Sequence, residues 1–308
     1  MVAYFEGKLL LTKRLLSVLL CLVSSMLSHT AYAGDDGSSS YVLATGKDAV
    51  KRLAVSESVY GEQTKILLHK FALPSDSGLK ILIMACGTGE QLSWASEFVG
   101  EKGHVTCADI SAAQLDVAKQ KAGHLKNVSF VLADILDHHD ITTLHQQGLF
   151  DLVTSRFLLV HLSDPKMAIK NMYSLVKKGG YVLYEEHDIS WINSYPHSEA
   201  ISKAKEILYK LAEYKKVDFS YGAKLFSVVY DLGYKNAKMA LHVPAFNAGI
   251  EKHLFDMSLL EGKKAYINAE IMTDSAMNVL IKNVKEFADH NNTWISSGGF
   301  FQVYVQAE

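Results

Sequence analysis

KILIMACGTGEQ, the stretch from Lys80 to Gln91, decides the fold of this chain. An apolar run over residues 81–85 ends abruptly in Cys86-Gly87-Thr88-Gly89, and a helical pattern follows. A strand that stops at a glycine turn and opens a helix lets a ligand approach the backbone closely, because glycine has no side chain to block it. Two acids, Asp109 and Asp134, follow the next two apparent strands. This spacing is typical of an α/β domain that binds a nucleoside.

Strands and helices alternate along most of the remaining chain. Strands are predicted at residues 81–85, 104–109, 128–133, 150–155, 181–185, 237–243 and 299–305, and helices at residues 90–98, 112–122, 164–176, 198–215 and 221–232. Such alternation implies a mostly parallel sheet, and ligands bind at the carboxyl ends of its strands. Two segments, at about residues 190–216 and 249–290, follow the fifth strand and precede the last one. We expect them to form a helical lid over the carboxyl edge.

The beginning of the chain has the three parts of a secretory leader. Lys8, Lys13 and Arg14 form a basic start, and residues 15–27 are mostly apolar but shorter than the roughly 20 residues that span a bilayer. The run Ala31-Tyr32-Ala33 matches a cleavage site. The prediction is a signal peptide at residues 1–33, a flexible linker at 34–40, and export to the periplasm or medium with no stable membrane span after cleavage. A cytoplasmic or membrane-anchored protein is the alternative.

The charge balance bears on which partners the chain can bind, and the cysteine content bears on disulfides and metal sites. Lys and Arg number 31 against 33 Asp and Glu, so there is no basic excess to bind nucleic acid. The oligomeric state cannot be read from the sequence. Cys86 and Cys107 would lie near the carboxyl ends of adjacent strands, which allows a disulfide, but two buried free thiols are the favoured interpretation. No group of His and Cys has metal-ligand spacing, so no metal centre is expected.

The glycine turn distinguishes two nucleoside cofactors. A dinucleotide fingerprint requires a third glycine where Leu92 stands, which argues against NAD. The run from Ile81 to Gly89 instead resembles the first motif of class I S-adenosylmethionine (SAM)-dependent methyltransferases, V-L-D-x-G-C-G-x-G. Two residues depart from that motif. Ile83 replaces an acid that orients the turn and the methionine end of SAM, and Ala85 replaces the first glycine, a mild change where the backbone is not left-handed.

Further segments resemble later motifs of that family in the same order. Ala108-Asp109-Ile110-Ser111 resembles the second motif, whose carboxylate accepts both ribose hydroxyls, and Leu132-Ala133-Asp134-Ile135 resembles the third, whose acid meets the adenine amino group. Residues 150–162 resemble the fourth motif, and residues 176–180 resemble the turn before strand five. The resemblance is to bacterial small-molecule methyltransferases over residues 41–308. In similar proteins a tyrosine and an arginine, here Tyr41 and Arg52, lie over the SAM carboxylate.

The resemblance implies a fold class, a cofactor and a site. The fold class is α/β, a Rossmann-like seven-stranded, mostly parallel sheet flanked by helices, with helical lid additions. The cofactor is SAM, and the implied cofactor-binding residues are Tyr41, Arg52, Ala85, Gly87, Gly89, Asp109, Ile110, Asp134, Ile135 and Arg156.

Fewer residues can be predicted for the part of the site that binds the methyl acceptor. His161 is the candidate catalytic residue facing the transferred methyl group. Strand alternation sends Glu185 and His187 to one face of strand five and Glu186 and Asp188 to the other, and we take Glu185 and His187 as the substrate-side candidates. The predicted function is methyl transfer to an O, N, S or C nucleophile of a small molecule. The alternative is an exported, catalytically degenerate SAM-fold binding module.

Overall fold

A computed structural model of the chain describes residues 43, 45–73 and 78–308. The predicted signal peptide, the predicted linker and Tyr41 lie outside the described residues. Within the described part of the chain, no helix combines the length and the apolar character needed to cross a bilayer.

A seven-stranded sheet forms the centre of the fold. The strands are β1 (Lys80–Met84), β2 (His104–Asp109), β3 (Val128–Leu132), β4 (Phe150–Arg156), β5 (Val176–Asp188), β6 (Ser194–Tyr195), β7 (Lys238–His242), β8 (Ala245–Phe246), β9 (Trp294–Ser296) and β10 (Gly299–Gln306). The large sheet has the order β3-β2-β1-β4-β5-β10-β7, and β6-β9-β8 form a second, small sheet. Strands β1 to β5 pair in parallel, whereas β10 runs antiparallel to both β5 and β7. The predicted fold class is confirmed.

Helices cover both faces of this sheet. They are α1 (Val50–Leu68), α2 (Leu92–Val99), α3 (Ala112–Ala122), α4 (His138–Gln146), α5 (Pro165–Ser174), α6 (Glu199–Lys215), α7 (Tyr221–Asp231), α8 (Leu254–Glu261), α9 (Lys263–Asn268) and α10 (Asp274–Asp289). Ser111 caps α3 as the sequence predicts, because its Oγ accepts a hydrogen bond from the Gln114 backbone N–H at 3.3 Å. Pro165 takes the first position of α5, where its missing N–H costs nothing.

Strand β5 and helix α4 differ from the sequence prediction, and the three strands of the small sheet, β6, β8 and β9, were not predicted. Strand β5 begins at Val176, so the glycine pair expected as a turn lies inside the strand. The Gly179 N–H donates to the Ala307 carbonyl, and the Ala307 N–H donates to the Gly180 carbonyl, so these two bonds hold the segment in the sheet although the φ of Gly179 is 81°. Helix α4 was not predicted: its polar first turn, at exposed residues 138 and 139, reads as a loop, but Asp137 caps it by accepting from the Asp140 N–H.

The core is divided between the two faces of the sheet. Side chains of Ile81, Ile83 and Leu183 join a cluster beneath α1, α2 and α3, whereas alternate residues such as Met84 and Val182 join the larger cluster on the opposite face. Helix α1 extends past the first cluster and packs near the carboxyl edge in a third cluster that contains Val55, Val59, Tyr60, Leu254 and Phe300. This third cluster brings α1, α8 and β10 together beside the candidate site.

Candidate active site

The glycine turn after β1 is shaped for a close ligand contact. Gly87 and Gly89 have φ values of 57° and 79°, in the region that side chains disfavour. A Cβ on Gly89 would lie 2.8 Å from the Leu92 Cδ1, so a larger residue could not fit there. Leu92 is fully buried and fills the space under this glycine. Above the turn, the Leu53 side chain of α1 would be 3.5 Å from a Cβ on Gly87.

Ala85 overturns one sequence expectation. Its φ is 57°, so the backbone is left-handed at the position where the motif has its first glycine. The substitution is therefore not mild, because a left-handed conformation costs an L-residue about 1–2 kcal/mol. The next residue holds the strained turn in place: the Cys86 N–H donates to the Ala108 carbonyl at 3.1 Å.

A disulfide joins Cys86 to Cys107, which corrects the expectation of two free thiols. The register of β1 on β2 places Ile83 opposite Cys107, and the turn then carries Cys86 back over β2. The Cα atoms come within 5.5 Å, the separation that a disulfide requires. The glycine turn is thus covalently tied to the strand that carries Asp109.

Asp109 lies between the glycine turn and the beginning of α3. Its Oδ2 accepts from the Gly87 N–H and its Oδ1 from the Ser111 N–H, both at 2.9 Å. Burial raises the pKa of its carboxyl, and the backbone N–H donors oppose that rise. The neighbouring Ile110 is 51% exposed.

Asp134 follows the adjacent strand at the same edge. Its Oδ1 accepts from the Leu136 N–H, and its own N–H donates to Asp140 Oδ2, both at 2.8 Å. Ile135 is buried in the larger core cluster. The structure therefore brings the two predicted acids to neighbouring strand ends, and their assignment to ribose and adenine stays a prediction.

Arg156 ends β4 inside a buried polar network. Its guanidinium donates to Glu185 Oε2 at 3.0 Å, to Glu57 Oε2 at 2.7 Å and to Thr64 Oγ1 at 2.6 Å. Thr64 and Gln302 donate in turn to Glu185 Oε1, each at 2.7 Å. Burial alone would lower the pKa of Arg156, but Glu185 and Glu57 outweigh it and raise that pKa.

Three members of this network were not found from the sequence, Gln302 of β10 and two residues of α1. Glu57 and Thr64 come from α1, far from the motifs in the chain. The signal that could have found them is the spacing of Leu53, Glu57 and Thr64, which places all three on one face of a helix. Glu185 is fully buried among its partners. Of the two substrate-side candidates, His187 is the one that keeps some exposed surface.

Two neutral histidines lie near the ends of β4 and β5. His187 Nε2 is 2.7 Å from the Tyr60 hydroxyl, and its ring centroid is 3.8 Å from that of Phe157. Burial, with added repulsion from His161, lowers the pKa of His187 to about 3. Burial and the nearby Arg52 charge lower the pKa of His161 to about 4. Both imidazoles are therefore uncharged at neutral pH.

Phe157, which links these groups, has a strained backbone. Its φ is 56°, and its N–H donates to the Glu185 carbonyl at 2.8 Å. Its ring also meets Tyr60 edge-on at 5.0 Å between centroids. Left-handed non-glycine residues collect at functional sites, where the surrounding structure holds them. This residue carries no sequence signal of its own.

The remaining predicted residues are placed as follows. Arg52 is buried, and its Nε donates to Glu261 Oε2 of α8 at 2.7 Å. On the other face of β5, Glu186 accepts from the backbone N–H groups of residues 158–160, and Asp188 accepts from the Ser190 N–H. Strand alternation thus places Glu186 and Asp188 on the opposite face of β5 from Glu185 and His187, as predicted.

Comparison with known proteins identifies the domain that these features build. Residues 81–180, which hold the glycine turn and both acids, match the family model described as a methyltransferase domain. By this match, residues 81–180 are a methyltransferase domain. SAM is the cofactor that the resemblance to class I methyltransferases implies. The residues present fit SAM, because the glycine turn leaves room for close approach and the Asp109 carboxylate stands beside it.

Similar proteins cover this domain only in part. Over 107 residues the chain is 38% identical to demethylmenaquinone methyltransferase of Staphylococcus epidermidis, a match of 34% of this chain and 42% of that protein. It is 36% identical over 125 residues to a ubiquinone/menaquinone biosynthesis C-methyltransferase of Shewanella piezotolerans, 36% of this chain and 46% of that protein. The chain thus spans less than half the length of these curated relatives.

The fold extends further than the sequence match. The crystal structure of the YcgJ protein from Bacillus subtilis aligns with a TM-score of 0.50 at 13% identity, and the alignment covers 80% of this chain and 99% of that one. This likeness shows the fold alone and carries nothing about activity or substrate.

Proposed function

We propose that this protein transfers the methyl group of SAM to a nucleophilic atom, O, N, S or C, of a small molecule. The observation that carries the proposal is the arrangement at the carboxyl ends of adjacent strands. The glycine turn and Asp109 end β1 and β2, and a strained Phe157 with two neutral imidazoles follows β4 and β5. In this proposal, the residues that bind the cofactor and those that bind the acceptor share one edge of the sheet.

Bound SAM supplies an activated methyl group, so the protein's main tasks are to orient the reactants and exclude water. Asp109 binds the ribose hydroxyls in this proposal. His161 accepts a hydrogen bond from the acceptor and takes up its proton where the nucleophile must lose one. With a pKa of about 4, this imidazole is a weak base. The acceptor therefore has to be a good nucleophile without strong deprotonation.

The acceptor side favours an aromatic, weakly charged molecule. Phe157 and the neutral imidazole of His187 keep some exposed surface, whereas Tyr60 and Phe300, whose rings pack against Phe157, are fully buried. The matched relatives are named for quinone methylation. A quinone-like or phenolic ring is therefore the first acceptor class to test.

Equilibrium binding tests the cofactor half. Calorimetry of the mature protein should show binding of SAM and none of NAD. Asp109→Ala removes a carboxylate that would make two charge-assisted hydrogen bonds to ribose, each worth about 1.5–3 kcal/mol, so SAM affinity should fall at least tenfold. Asp116→Ala, an exposed acid on α3, is the matched control. Unchanged SAM affinity in Asp109→Ala would rule the assignment out.

Turnover tests the acceptor half. With an acceptor in hand, His161→Gln should lower kcat by about 100-fold or more while leaving SAM affinity unchanged, because general acid–base groups contribute that much. His138→Gln, at the exposed start of α4, should leave kcat unchanged. A full kcat in His161→Gln would remove this residue from the mechanism.

A binding module without activity is the second candidate, and a specific observation favours it. The first motif lacks its acid at Ile83, and Ala85 is strained. SAM binding with no methyl transfer to a panel of phenols, quinones, amines and thiols would support the module over the enzyme.

We also propose that the protein is exported after cleavage behind Ala33. Beyond the leader pattern, the Cys86–Cys107 disulfide supports this proposal, because disulfides persist in oxidising compartments. N-terminal sequencing of the extracytoplasmic fraction should begin at Gly34. Recovery of the intact form from the cytosol alone would contradict export.

A further inference from the structure

Strand β1 lacks the acid of the first motif, because Ile83 stands in its place. The site therefore has no negative charge at that position of β1. Ile83 is buried and faces α1, level with Thr154 of β4 and Leu183 of β5. Two residues further along those strands, on the same face, Arg156 lies opposite Glu185. At about 3.3 Å per strand residue, this pair stands roughly 7 Å beyond Ile83, level with the glycine turn.

The network around Arg156 carries more negative than positive charge. One guanidinium serves two carboxylates, Glu57 and Glu185, and the three side chains are 6%, 18% and 0% exposed. Among the described residues, Arg156 is the one cation that forms an ion pair with either acid. A buried charge without a counter-charge is costly, so this site favours one further cation.

Of the two carboxylates, Glu57 is the one that a ligand could reach. Glu185 has no exposed surface and already accepts from Arg156, Thr64 and Gln302. Glu57 remains partly exposed, and its Oε1 accepts from the Trp94 indole N–H at 3.1 Å.

The surroundings of Glu57 place it beside the glycine turn. Trp94 belongs to the first turn of α2, directly after the glycines. Leu53, one helical turn before Glu57 on α1, lies over Gly87. A Cβ on Gly61 would come within 2.6 Å of the Glu57 Cδ, so glycine at that position leaves room for this carboxylate.

We propose that Glu57 binds the α-ammonium group of the methionine part of SAM and so replaces the carboxylate that the motif lacks at Ile83. The ammonium supplies the one positive charge that balances the network. Arg156 and Trp94 act as positioning residues, since each holds one oxygen of Glu57. The inference rests on SAM as cofactor, and the test separates the two.

The test compares two ligands, one with the amino-acid part that carries the ammonium and one without it. S-adenosylhomocysteine carries it, whereas 5′-methylthioadenosine lacks the whole amino-acid part. Calorimetry on the mature protein should show that Glu57→Gln weakens S-adenosylhomocysteine binding about tenfold or more, the usual effect of losing a charge-assisted hydrogen bond. Binding of 5′-methylthioadenosine should change less than twofold. Glu62→Gln, an exposed acid on the same helix, should change neither.

Each outcome decides something. Equal weakening of both ligands, or of neither, overturns the role of Glu57. Failure of the unaltered protein to bind either ligand overturns the SAM site itself. Should Glu57→Gln fold poorly in a thermal melt, Trp94→Phe gives a second route. It removes the indole donor that orients Glu57 and should weaken S-adenosylhomocysteine severalfold with 5′-methylthioadenosine unchanged; loss of both would again overturn the proposal.

Discussion

At the scale of single residues, Ala85 holds a left-handed backbone that glycine adopts without strain. Ala85→Gly should relieve about 1–2 kcal/mol of strain in the folded state. It also increases the conformational entropy of the unfolded chain, which offsets about 0.4–1 kcal/mol of that gain. The free energy of unfolding should therefore rise by up to about 1 kcal/mol, measured by urea denaturation. Ala54→Gly, exposed within α1, should instead lose about 1 kcal/mol. Equal losses in both variants would show that the turn is not strained.

Sequence reasoning located the residues whose positions are set by their immediate neighbours in the sequence. Gly87, Gly89 and Asp109 follow strands directly, and a strand end fixes where such side chains go. The handedness of Ala85 and the pairing of Cys86 were missed because both depend on how β1 docks against β2. No pattern within either strand records that docking.

At the scale of elements, two polar contacts join the segment at 249–290 to α1. Arg52 of α1 pairs with Glu261 of α8, and Ser58 donates to Glu251 just before α8. We expect α8 to α10 to exchange amide hydrogens faster than β1 and β4, and S-adenosylhomocysteine to slow exchange in α1 and α8. Helix α5, whose buried side chains pack against the opposite face of the sheet, serves as the internal control. Equal protection of lid and sheet, unchanged by ligand, would make these segments a static layer.

Elements were predicted well where hydrophobic periodicity was strong. Strand β2 and helix α3 match their predicted bounds because burial and a capping serine define both ends. Helix α4 was missed because only Ile141 and Leu144 are buried within it, too few to show a period. Strand β5 is longer than predicted because its first half depends on hydrogen bonds to Ala307, which lies at the far end of the chain.

At the scale of the whole molecule, two partly buried histidines, His161 and His187, should make stability fall in acid. Their pKa values are about 4 for His161 and about 3 for His187, below the ordinary 6.5. As the pH falls below 6.5, both histidines gain protons in the unfolded chain before they do so in the folded chain. The free energy of unfolding therefore decreases as the pH falls. Each histidine should account for about 2 kcal/mol between pH 6.5 and 5. Glu186, whose pKa burial raises to about 8, acts in the opposite sense.

A difference measurement isolates the histidine effect from other groups. Urea unfolding of His161→Gln at pH 7 and pH 5 should show a loss about 2 kcal/mol smaller than that of the unaltered protein. His138→Gln should show the full loss, because that side chain is exposed. An identical loss in all three proteins would mean that His161 does not stay neutral in the folded state.

The joined sulfurs of Cys86 and Cys107 have a practical consequence for spectroscopy. The chain has three cysteines, and the third, Cys21, lies in the segment that export would remove. A mature chain cleaved after Ala33 therefore offers no reactive thiol to a maleimide dye or a nitroxide label. A cysteine placed on the exposed face of α10, for example at Val279, would be the single labelling position. Motion of that helix could then be followed by distance measurements without first altering the native cysteines.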